Sequence, residues 1–282
     1  MNKHLIIGSN SFLGVALSKA LHKSNETVLG VFHENKNNLF EEIDHIPITK
    51  LKNLNSDFNV VYIISAFVPD SKDKDIKQRL IDVNQELVAR ICHQFKNAKI
   101  VYCSSVSVYG ATNGILKEKS DWSPESPYAE SKRFGEKIVM KHDKYAIVRI
   151  SSMYGINMKL STFLPLVIKS AIKNNQIKLY GDGKREQNYI HVNDVANYLI
   201  AASRYSVNAT FLAVSPISIS NLEVAKTIKK VLKDINIIFE GEDNSKSYFY
   251  DNSVTNKKLE IRNRKEFKTE VKSIIEWMKK GL

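Results

Sequence analysis

Tyr128 and Lys132, four residues apart, are a pair in this sequence suited to proton transfer. Ser126-Pro127 precedes them and favours the start of a helix, on which residues four apart share a face. A phenol with a solution pKa near ~10 is a poor acid–base group at neutral pH, and an adjacent ammonium group favours its phenolate. Tyr180 and Lys184 have the same spacing, but they lie in a glycine-containing turn where no shared face is imposed. The sequence therefore predicts an acid–base group at Tyr128.

Three serines follow a predicted strand, Lys99–Cys103. Ser104, Ser105 and Ser107 stand at its carboxyl end, which is where ligands bind in open parallel sheets. Serines are also common turn formers. Their place upstream of Tyr128 favours a hydroxyl that donates to a substrate oxygen.

A glycine-bearing turn, Gly8-Ser9-Asn10-Ser11-Phe12-Leu13-Gly14, follows the apolar strand Leu5-Ile6-Ile7 and opens a helix. Glycines in such a turn let a pyrophosphate approach the helix N-terminus closely. Ser11 occupies the middle position of the usual three-glycine form, so an ordinary turn is the alternative. The position at the first strand–helix junction favours dinucleotide binding.

Strands and amphipathic helices alternate over the first 150 residues, which predicts a doubly wound parallel α/β sheet of the Rossmann type. The predicted strands after the first are Thr27–Phe32, Val60–Ile64, Lys99–Cys103 and Tyr145–Ile150, and the main helices are Asp73–Phe95 and Tyr128–Lys141. Because such a sheet is covered on both faces, its strands should be apolar throughout.

The regular alternation of strands and helices ends after Ser151, which predicts a smaller C-terminal α/β lobe. Its expected features are a helix over Thr162–Lys173, a strand over Tyr189–Val192, a helix capped by Asn193, a capping box at Ser220–Glu223 and a final helix over Phe267–Lys279. We expect residues 1–155 and about 185–203 to form the dinucleotide-binding domain, and about 156–184 and 204–282 to form the substrate-binding lobe.

The composition is that of a globular protein, with 43% hydrophobic and 26% charged residues in a chain of 282. The formal net charge of +12 is spread along the chain without a block of like charges, so we expect no nucleic-acid partner. Cys92 and Cys103 form neither a CxxC pair nor a metal-ligand spacing, which is typical of the reducing cytoplasm. The longest near-apolar run, Val60–Val68, is about half the length of a membrane span, so we expect no membrane association.

Taken in this order, the motifs resemble those of the extended short-chain dehydrogenase/reductase family, the group of NAD(P)-dependent nucleotide-sugar epimerases, dehydratases and reductases. The resemblance runs over nearly the whole chain. The matching segments are Gly8–Gly14, Asp82-Val83-Asn84, Ser104–Gly110, Tyr128–Lys132, Arg149–Gly155, Tyr180–Gly183 and Asn188–Val195.

The resemblance implies a role for each matching residue. Ser105 would hydrogen-bond the reacting sugar oxygen, Tyr128 would be the general acid–base, and Lys132 would hold the nicotinamide ribose and tune Tyr128. The cofactor-binding residues would be Gly8, Ser11, Phe12, Leu13, Gly14, His33, Lys36, Ser65 and Ala66, together with Tyr128 and Lys132. The substrate-binding residues would be Ser105, Val106, Ser107 and Arg185. Asn84 is either functional or a structural residue of a helix bend, and no metal site is expected.

Two departures from the family pattern affect ligand binding. Gln187-Asn188 stands where Arg-Asp is common, so Arg185 is a displaced candidate for the diphosphate. The second strand ends without the Asp that would accept a hydrogen bond from the ribose 2′-hydroxyl. His33 and Lys36 could instead meet a 2′-phosphate, which favours NADP(H) over NAD(H), although Glu34 argues for NAD(H).

Several reactions are open to such a protein. Val106 and Ser107 occupy the positions where the family's 4,6-dehydratases place an Asp-Glu pair, so a dehydratase is disfavoured. We favour a reductase that transfers hydride to the C4 keto group of a nucleotide 4-keto-6-deoxysugar, in deoxysugar or surface-polysaccharide biosynthesis. The Ser11 side chain should weaken retention of a cofactor, as a reductase requires. The alternative is a 4-epimerase with retained NAD. A non-catalytic NAD(P) sensor is disfavoured because Ser105, Tyr128 and Lys132 are all present.

The resemblance also implies a homodimer. In the family, the helices that correspond to Asp73–Phe95 and Tyr128–Lys141 often pair across a two-fold axis. The apolar faces of these two helices are the candidate interface.

Overall fold

The computed structural model describes residues 2–33, 35–70, 73–110, 114–262 and 264–281. The strands in these ranges are β1 (Lys3–Ile7), β2 (Thr27–Phe32), β3 (Asp44–Pro47), β4 (Val60–Ile63), β5 (Lys99–Ser105), β6 (Ile115–Leu116), β7 (Tyr145–Ile150), β8 (Ser152–Tyr154), β9 (Gln176–Tyr180), β10 (Glu186–Gln187), β11 (Tyr189–His191), β12 (Ala209–Ala213), β13 (Ile219–Ser220), β14 (Asn236–Glu240) and β15 (Phe249–Tyr250). The helices are α1 (Phe12–Lys23), α2 (Ile76–Ile81), α3 (Leu87–Gln94), α4 (Pro127–Val139), α5 (Phe163–Asn174), α6 (Val192–Arg204), α7 (Asn221–Leu232), α8 (Ser253–Leu259) and α9 (Phe267–Lys280).

Within the described ranges, seven parallel strands form the main sheet in the order β12-β7-β5-β4-β1-β2-β3. The strands that follow β1 in the chain lie on both sides of it: β2 and β3 on one side, and β4, β5, β7 and β12 on the other. A crevice for a ligand opens at such a reversal of strand order, outside the carboxyl ends of the strands. The sheet confirms the predicted Rossmann-like α/β fold.

Helices cover both faces of this sheet. Leu17 of α1 and Leu199 of α6 pack with one face of the strands, and Val88 of α3 and Val139 of α4 pack with the other. All four residues of β4 are buried, as expected of a strand with helices on either side. The sheet thus fixes where β1, β4 and β5 end, and those ends carry the predicted site residues.

A second apolar core lies among α5, α7, α9 and the paired strands β9 and β14, with Ile168, Ile177, Ile228 and Ile275 at its centre. This core corresponds to the predicted smaller lobe. One boundary differs from the sequence-based division. Residues 209–213 were assigned to the lobe, but they form β12 at the edge of the main sheet, paired with β7.

The predicted helix Asp73–Phe95 is interrupted in its middle. α2 and α3 are joined by a π-helical turn, Asp82–Glu86, in which Asn84 is buried. The Asn84 amide accepts a hydrogen bond from the Phe67 N–H (2.8 Å) and donates to the Phe67 carbonyl (3.0 Å) and the Ser131 hydroxyl (2.9 Å). Asn84 therefore ties the bend to α4 and to the loop after β4, which is a structural role.

Three local features differ from expectation. β5 is longer than predicted and includes Ser104 and Ser105, because both serines continue the pairing with β7. The short strand β3 has only half-exposed or exposed residues and gives no apolar pattern to detect. The prediction that Asn193 caps α6 is wrong, because the His191 ring is the cap and accepts from the Asn193 N–H at 3.1 Å. The capping box at Ser220 and Glu223 is confirmed.

Candidate active site

Ser105 and Tyr128 meet where β5 ends and α4 begins. The Ser126 hydroxyl caps α4 by accepting from the Ala129 N–H at 3.1 Å, and Pro127 occupies the first turn, so the helix starts immediately before Tyr128. The Ser105 hydroxyl accepts from the Ser107 N–H at 3.1 Å, and it lies beside the Tyr128 phenol, where it acts to lower the Tyr128 pKa. This contact places a second hydroxyl beside the predicted acid–base group.

Lys132 lies one turn further along α4 and is 2% exposed. Its ammonium nitrogen is 4.2 Å from the centre of the Tyr102 ring, a cation–π contact. Burial lowers the pKa of Lys132 to about 8, against the opposing effects of Cys103 and Glu136. The lysine is thus held at the base of the site and not at its surface.

The prediction that Lys132 and a cationic nicotinamide together favour the Tyr128 phenolate concerns the protein with its cofactor bound, and it stays a prediction. In the protein alone, burial raises the pKa of Tyr128 to about 12, and the Ser105 hydroxyl only partly opposes this effect. Lys132 is not among the groups that shift this pKa. Tyr128 therefore holds its proton at neutral pH, which suits an acid that donates to a sugar oxygen.

A cavity of about 670 Å³ opens in front of these side chains. All of the predicted substrate-binding residues line it, namely Ser105, Val106, Ser107 and Arg185. The Arg185 Nε is buried without a hydrogen-bond partner in the described part of the chain, so it is available to an anionic group of a ligand. The displaced arginine is therefore in the cavity, two residues before Gln187, which also lines it.

Sequence reasoning missed three side chains that line this cavity, Glu125, Tyr248 and Tyr250. Glu125 immediately precedes Ser126, the cap of α4. Its position three residues before Tyr128 was the one signal in the sequence that it lies near the site. Tyr248 and Tyr250 belong to the C-terminal part of the chain, where β15 pairs with β6. Their alternation around Phe249 indicates a strand, but no local pattern places that strand at the site.

A second cavity, of about 650 Å³, lies at the carboxyl ends of β1, β2 and β4. The predicted cofactor residues Gly8, Ser11, His33, Ser65 and Ala66 all line it. Gly8 has a φ of +98°, and a Cβ there would lie 2.8 Å from the Ser65 nitrogen. The positive φ and the nearby Ser65 backbone therefore require glycine in this turn, and the turn lines a cavity whose position and residues fit a dinucleotide.

The Ser11 hydroxyl points into the turn. It donates to the Gly8 carbonyl at 2.7 Å and accepts from the Gly14 N–H at 3.0 Å, which makes it the N-cap of α1. The N–H groups of Phe12 and Leu13 in the first helical turn have no partner within the helix, and they are the groups that a pyrophosphate would use. The expectation that Ser11 obstructs the pyrophosphate is therefore not supported.

Other predicted cofactor residues lie elsewhere. Lys36 is exposed and does not line the second cavity, and the Leu13 side chain is buried in the core. Gly14 lies against the turn that follows β1, since a Cβ there would be 2.2 Å from the Gly8 carbonyl oxygen. Phe12 lines a separate cavity between α1 and α9. Glu34 lies outside the described residues.

The described ranges contain neither a candidate metal site nor a helix that could span a membrane. No cluster of three or more His, Cys, Asp or Glu side chains there could hold a metal ion. No helix in those ranges has the length and apolar character needed to cross a membrane.

Comparison with known proteins agrees with this geometry. The chain is 23% identical over 267 residues to "dTDP-D-glucose 4,6-dehydratase" of Dictyostelium discoideum, covering 81% of this chain and 62% of that protein. It is 23% identical over 303 residues to "UDP-N-acetyl-alpha-D-glucosaminuronate decarboxylase" of Bacillus cytotoxicus, covering 97% and 91%. The fold superimposes on UDP-glucuronic acid 4-epimerase from Bacillus cereus, solved with UDP-glucuronic acid and NAD, with a TM-score of 0.87, 20% identity and coverage of 99% and 100%.

The sequence also matches a family model, and the match is long. Residues 4–210 fit the model described as "NAD dependent epimerase/dehydratase family". The matched range contains the glycine turn at Gly8–Gly14, Ser105 and the Tyr128–Lys132 pair, and it ends in β12. The chain belongs to the NAD-dependent epimerase/dehydratase family.

Proposed function

We propose that this protein is an NAD-dependent nucleotide-sugar 4-epimerase. The observation that carries the proposal is that Ser105, Tyr128 and Arg185 line one cavity, while the glycine turn at Gly8 lines a second. The first cavity would take the nucleotide sugar, and the second would take the dinucleotide. When bound, NAD would accept a hydride from the sugar C4 and return it. The chemistry left to the protein is proton transfer and orientation.

With the cationic cofactor bound, the Tyr128 phenolate would take the proton of the sugar C4 hydroxyl as the hydride leaves C4, and the phenol would return it as the hydride comes back. Ser105 would donate a hydrogen bond to the same sugar oxygen and hold it in line with Tyr128. Lys132 would bind the cofactor ribose, and its positive charge would stabilise a phenolate when Tyr128 has given up its proton. Arg185 would bind the diphosphate of the nucleotide. Its buried and unpartnered Nε supports that role.

The side chains that follow Ser105 argue against a dehydratase. Elimination of water needs an acid and a base beside the sugar, and Val106 and Ser107 provide no such pair. Glu125 supplies one carboxylate at the cavity wall. A simple oxidation and re-reduction needs only one group, Tyr128, to take up the proton of the C4 hydroxyl and to return it.

The inward-facing Ser11 hydroxyl favours an epimerase over a reductase. The argument for a reductase was that Ser11 would weaken retention of the cofactor, but the hydroxyl is used inside the turn. The superposition of 99% of this chain on a 4-epimerase structure also supports an epimerase. A C4 ketoreductase acting on a nucleotide 4-keto-6-deoxysugar is the second candidate, because the same Ser105, Tyr128 and Lys132 would serve a one-way reduction.

We propose NAD(H) as the cofactor. The preference for NADP(H) depended on His33 and Lys36 together, and Lys36 lies away from the cavity. The NAD bound in the Bacillus cereus structure supports the same choice. The free thiols of Cys92 and Cys103 are consistent with a cytoplasmic protein.

A homodimer stays a prediction. Leu80, Leu87 and Ile91, on the apolar face of the predicted helix Asp73–Phe95, are buried within the protomer. The exposed side of α4 instead carries Phe134 beside Lys137, so a helix-to-helix interface would use this more polar surface.

The two candidates make different demands on the cofactor. UDP-glucose, UDP-N-acetylglucosamine and UDP-glucuronic acid would each be incubated with the protein, with and without added NAD. A panel of nucleotide 4-keto-6-deoxysugars would be incubated with NADH or NADPH. The proposal predicts C4 epimers without net change in absorbance at 340 nm. Stoichiometric oxidation of NAD(P)H by a keto sugar would instead establish the reductase.

A further inference from the structure

Glu136 is a fully buried carboxylate on α4, one turn after Lys132. Arg149 of β7 binds it through two parallel hydrogen bonds, Nε to Oε1 at 2.9 Å and Nη2 to Oε2 at 2.7 Å. The Ser104 hydroxyl donates a third bond to Oε1 at 2.5 Å. Because desolvation offsets much of the attraction in a buried ion pair, such a pair is weak evidence for stability alone. Its position indicates another role.

The bond from Ser104 fixes the end of β5 relative to α4. Ser104 is the residue before Ser105, and Glu136 is two helical turns from Tyr128. The placement of Ser105 beside Tyr128 depends on the same two elements, β5 and α4. The bond between Ser104 and Glu136 is therefore a second contact between β5 and α4, next to the place where Ser105 meets Tyr128. It sets the spacing between the strand and the helix.

Glu136 also provides negative charge near Lys132. The titratable groups near the Lys132 ammonium group are Cys103 and Tyr102 on β5 and Glu136 on α4. Burial raises the pKa of Cys103 to about 12 and raises that of Tyr102, so both are neutral near pH 7. Of the three groups, Glu136 is the one that favours the charged lysine at that pH.

We propose that Glu136 is a positioning residue for the Ser105, Tyr128 and Lys132 centre: it locks β5 to α4 through Ser104 and keeps the Lys132 ammonium group charged. The kinetic consequence of this role rests on the proposed function. The titration of Lys132 and the position of Ser105 do not, because they are properties of the protein itself.

Arg149 is a less suitable residue to change. Its Nη1 also donates to the Glu118 carbonyl at 3.1 Å, and the Glu118 carboxylate accepts from the Thr255 N–H at 2.9 Å and from the Thr255 hydroxyl. Thr255 lies in α8, just after the strand that brings Tyr250 to the substrate cavity. A change at Arg149 would thus disturb the substrate side of the site as well. Glu136→Gln removes the charge with little change in shape.

The decisive measurement is an NMR titration of Lys132. Protein with ¹³Cε-labelled lysine would be titrated, and the Lys132 signal would be assigned by its loss in Lys132→Arg. Glu136→Gln should lower the Lys132 titration midpoint by about 0.5 to 1 pH unit. Glu130→Gln is the matched control, because it removes a carboxylate from the partly exposed pair with Arg133 on the same helix. It should leave the midpoint unchanged. An unchanged midpoint in folded Glu136→Gln would overturn the electrostatic role.

Ser104→Ala tests the positioning role separately and covers the case in which Glu136→Gln does not fold. It keeps the charge of Glu136 and removes the bond to β5. The Lys132 midpoint should stay at its wild-type value, a crystal structure should show the Ser105 hydroxyl displaced from Tyr128, and kcat should fall about tenfold with little change in KM. An undisplaced Ser105 with wild-type kcat would overturn the positioning role. An inactive wild-type protein would count against the proposed function, whereas the NMR and crystallographic results would still decide the role of Glu136.

Discussion

In the proposed function, the chemistry depends on Tyr128. This residue is half-buried, its pKa is raised to about 12, and it lines the same cavity as Ser105. Tyr128→Phe keeps the ring and removes the transferable proton. We expect kcat to fall by about 10² to 10⁴, with cofactor affinity nearly unchanged. Steady-state kinetics and a cofactor-binding titration on the same preparation would measure both effects.

Tyr180→Phe is the control for this prediction. Tyr180 also precedes a lysine by four residues, but it is 64% exposed at the end of β9. Its replacement should leave kcat within about twofold of wild type, as is usual for a surface position. Near-normal turnover in Tyr128→Phe, or an equal loss in both variants, would contradict the assigned role.

Residue types and spacing selected Ser105, Tyr128 and Lys132, and the family resemblance added Arg185; the fold brings Ser105, Tyr128 and Arg185 to one cavity. The same reasoning could not give the direction of the Tyr128 pKa, because the direction depends on burial. It also missed Glu136 and Arg149, which are 13 residues apart along the chain and meet only because α4 packs against β7. Contacts of this kind have no local signature.

At the scale of elements, the bend between α2 and α3 depends on Asn84. Asn84→Ala would leave the Phe67 N–H, the Phe67 carbonyl and the Ser131 hydroxyl without their amide partner. We expect the free energy of unfolding to fall by about 2 to 4 kcal/mol, since buried polar groups without partners are costly. Urea denaturation followed by circular dichroism would measure the change.

Glu86→Ala is the matched control, because Glu86 is exposed in the same π-helical turn. Its effect should be within about 0.5 kcal/mol. If Asn84→Ala were no more destabilising than Glu86→Ala, the bend would not depend on the buried amide.

The elements with strong apolar periodicity were predictable, including β2 and β7 at their observed bounds. The elements that depend on pairing were not. β3 has few apolar residues, and β5 extends through Ser104 and Ser105 because β7 lies beside it. His191 as a helix cap could not be inferred either, since histidine seldom has that function.

At the scale of the whole molecule, His191 should make stability depend on pH. The buried ring caps α6 by accepting from the Asn193 N–H, and burial lowers the pKa of His191 to about 4. The unfolded chain, with an ordinary histidine pKa near ~6.5, binds this proton first as the pH falls. The contribution of the neutral His191 ring to the free energy of unfolding is therefore fully present above pH ~6.5. It is lost between pH ~6.5 and pH ~4, at about 1 kcal/mol per pH unit.

His191→Asn isolates the contribution of this ring. Asparagine can cap the helix and does not titrate. Between pH 7.5 and 5, the variant should lose about 1 to 2 kcal/mol less unfolding free energy than wild type. Burial also lowers the pKa of His4. Because His4 is present in both proteins, its contribution to the difference between them cancels. Equal losses in the two proteins would show that His191 does not carry the pH dependence.

The proposed epimerase activity is tested most directly by following the hydrogen at C4. The purified protein, without added cofactor, would be incubated with UDP-glucose, UDP-N-acetylglucosamine and UDP-glucuronic acid, each deuterated at C4, and the products would be examined by NMR and mass spectrometry. The account predicts that one of these sugars is converted to its C4 epimer with the deuterium retained at C4. Absence of any epimer, together with NAD(P)H consumption on addition of a 4-keto sugar, would contradict it.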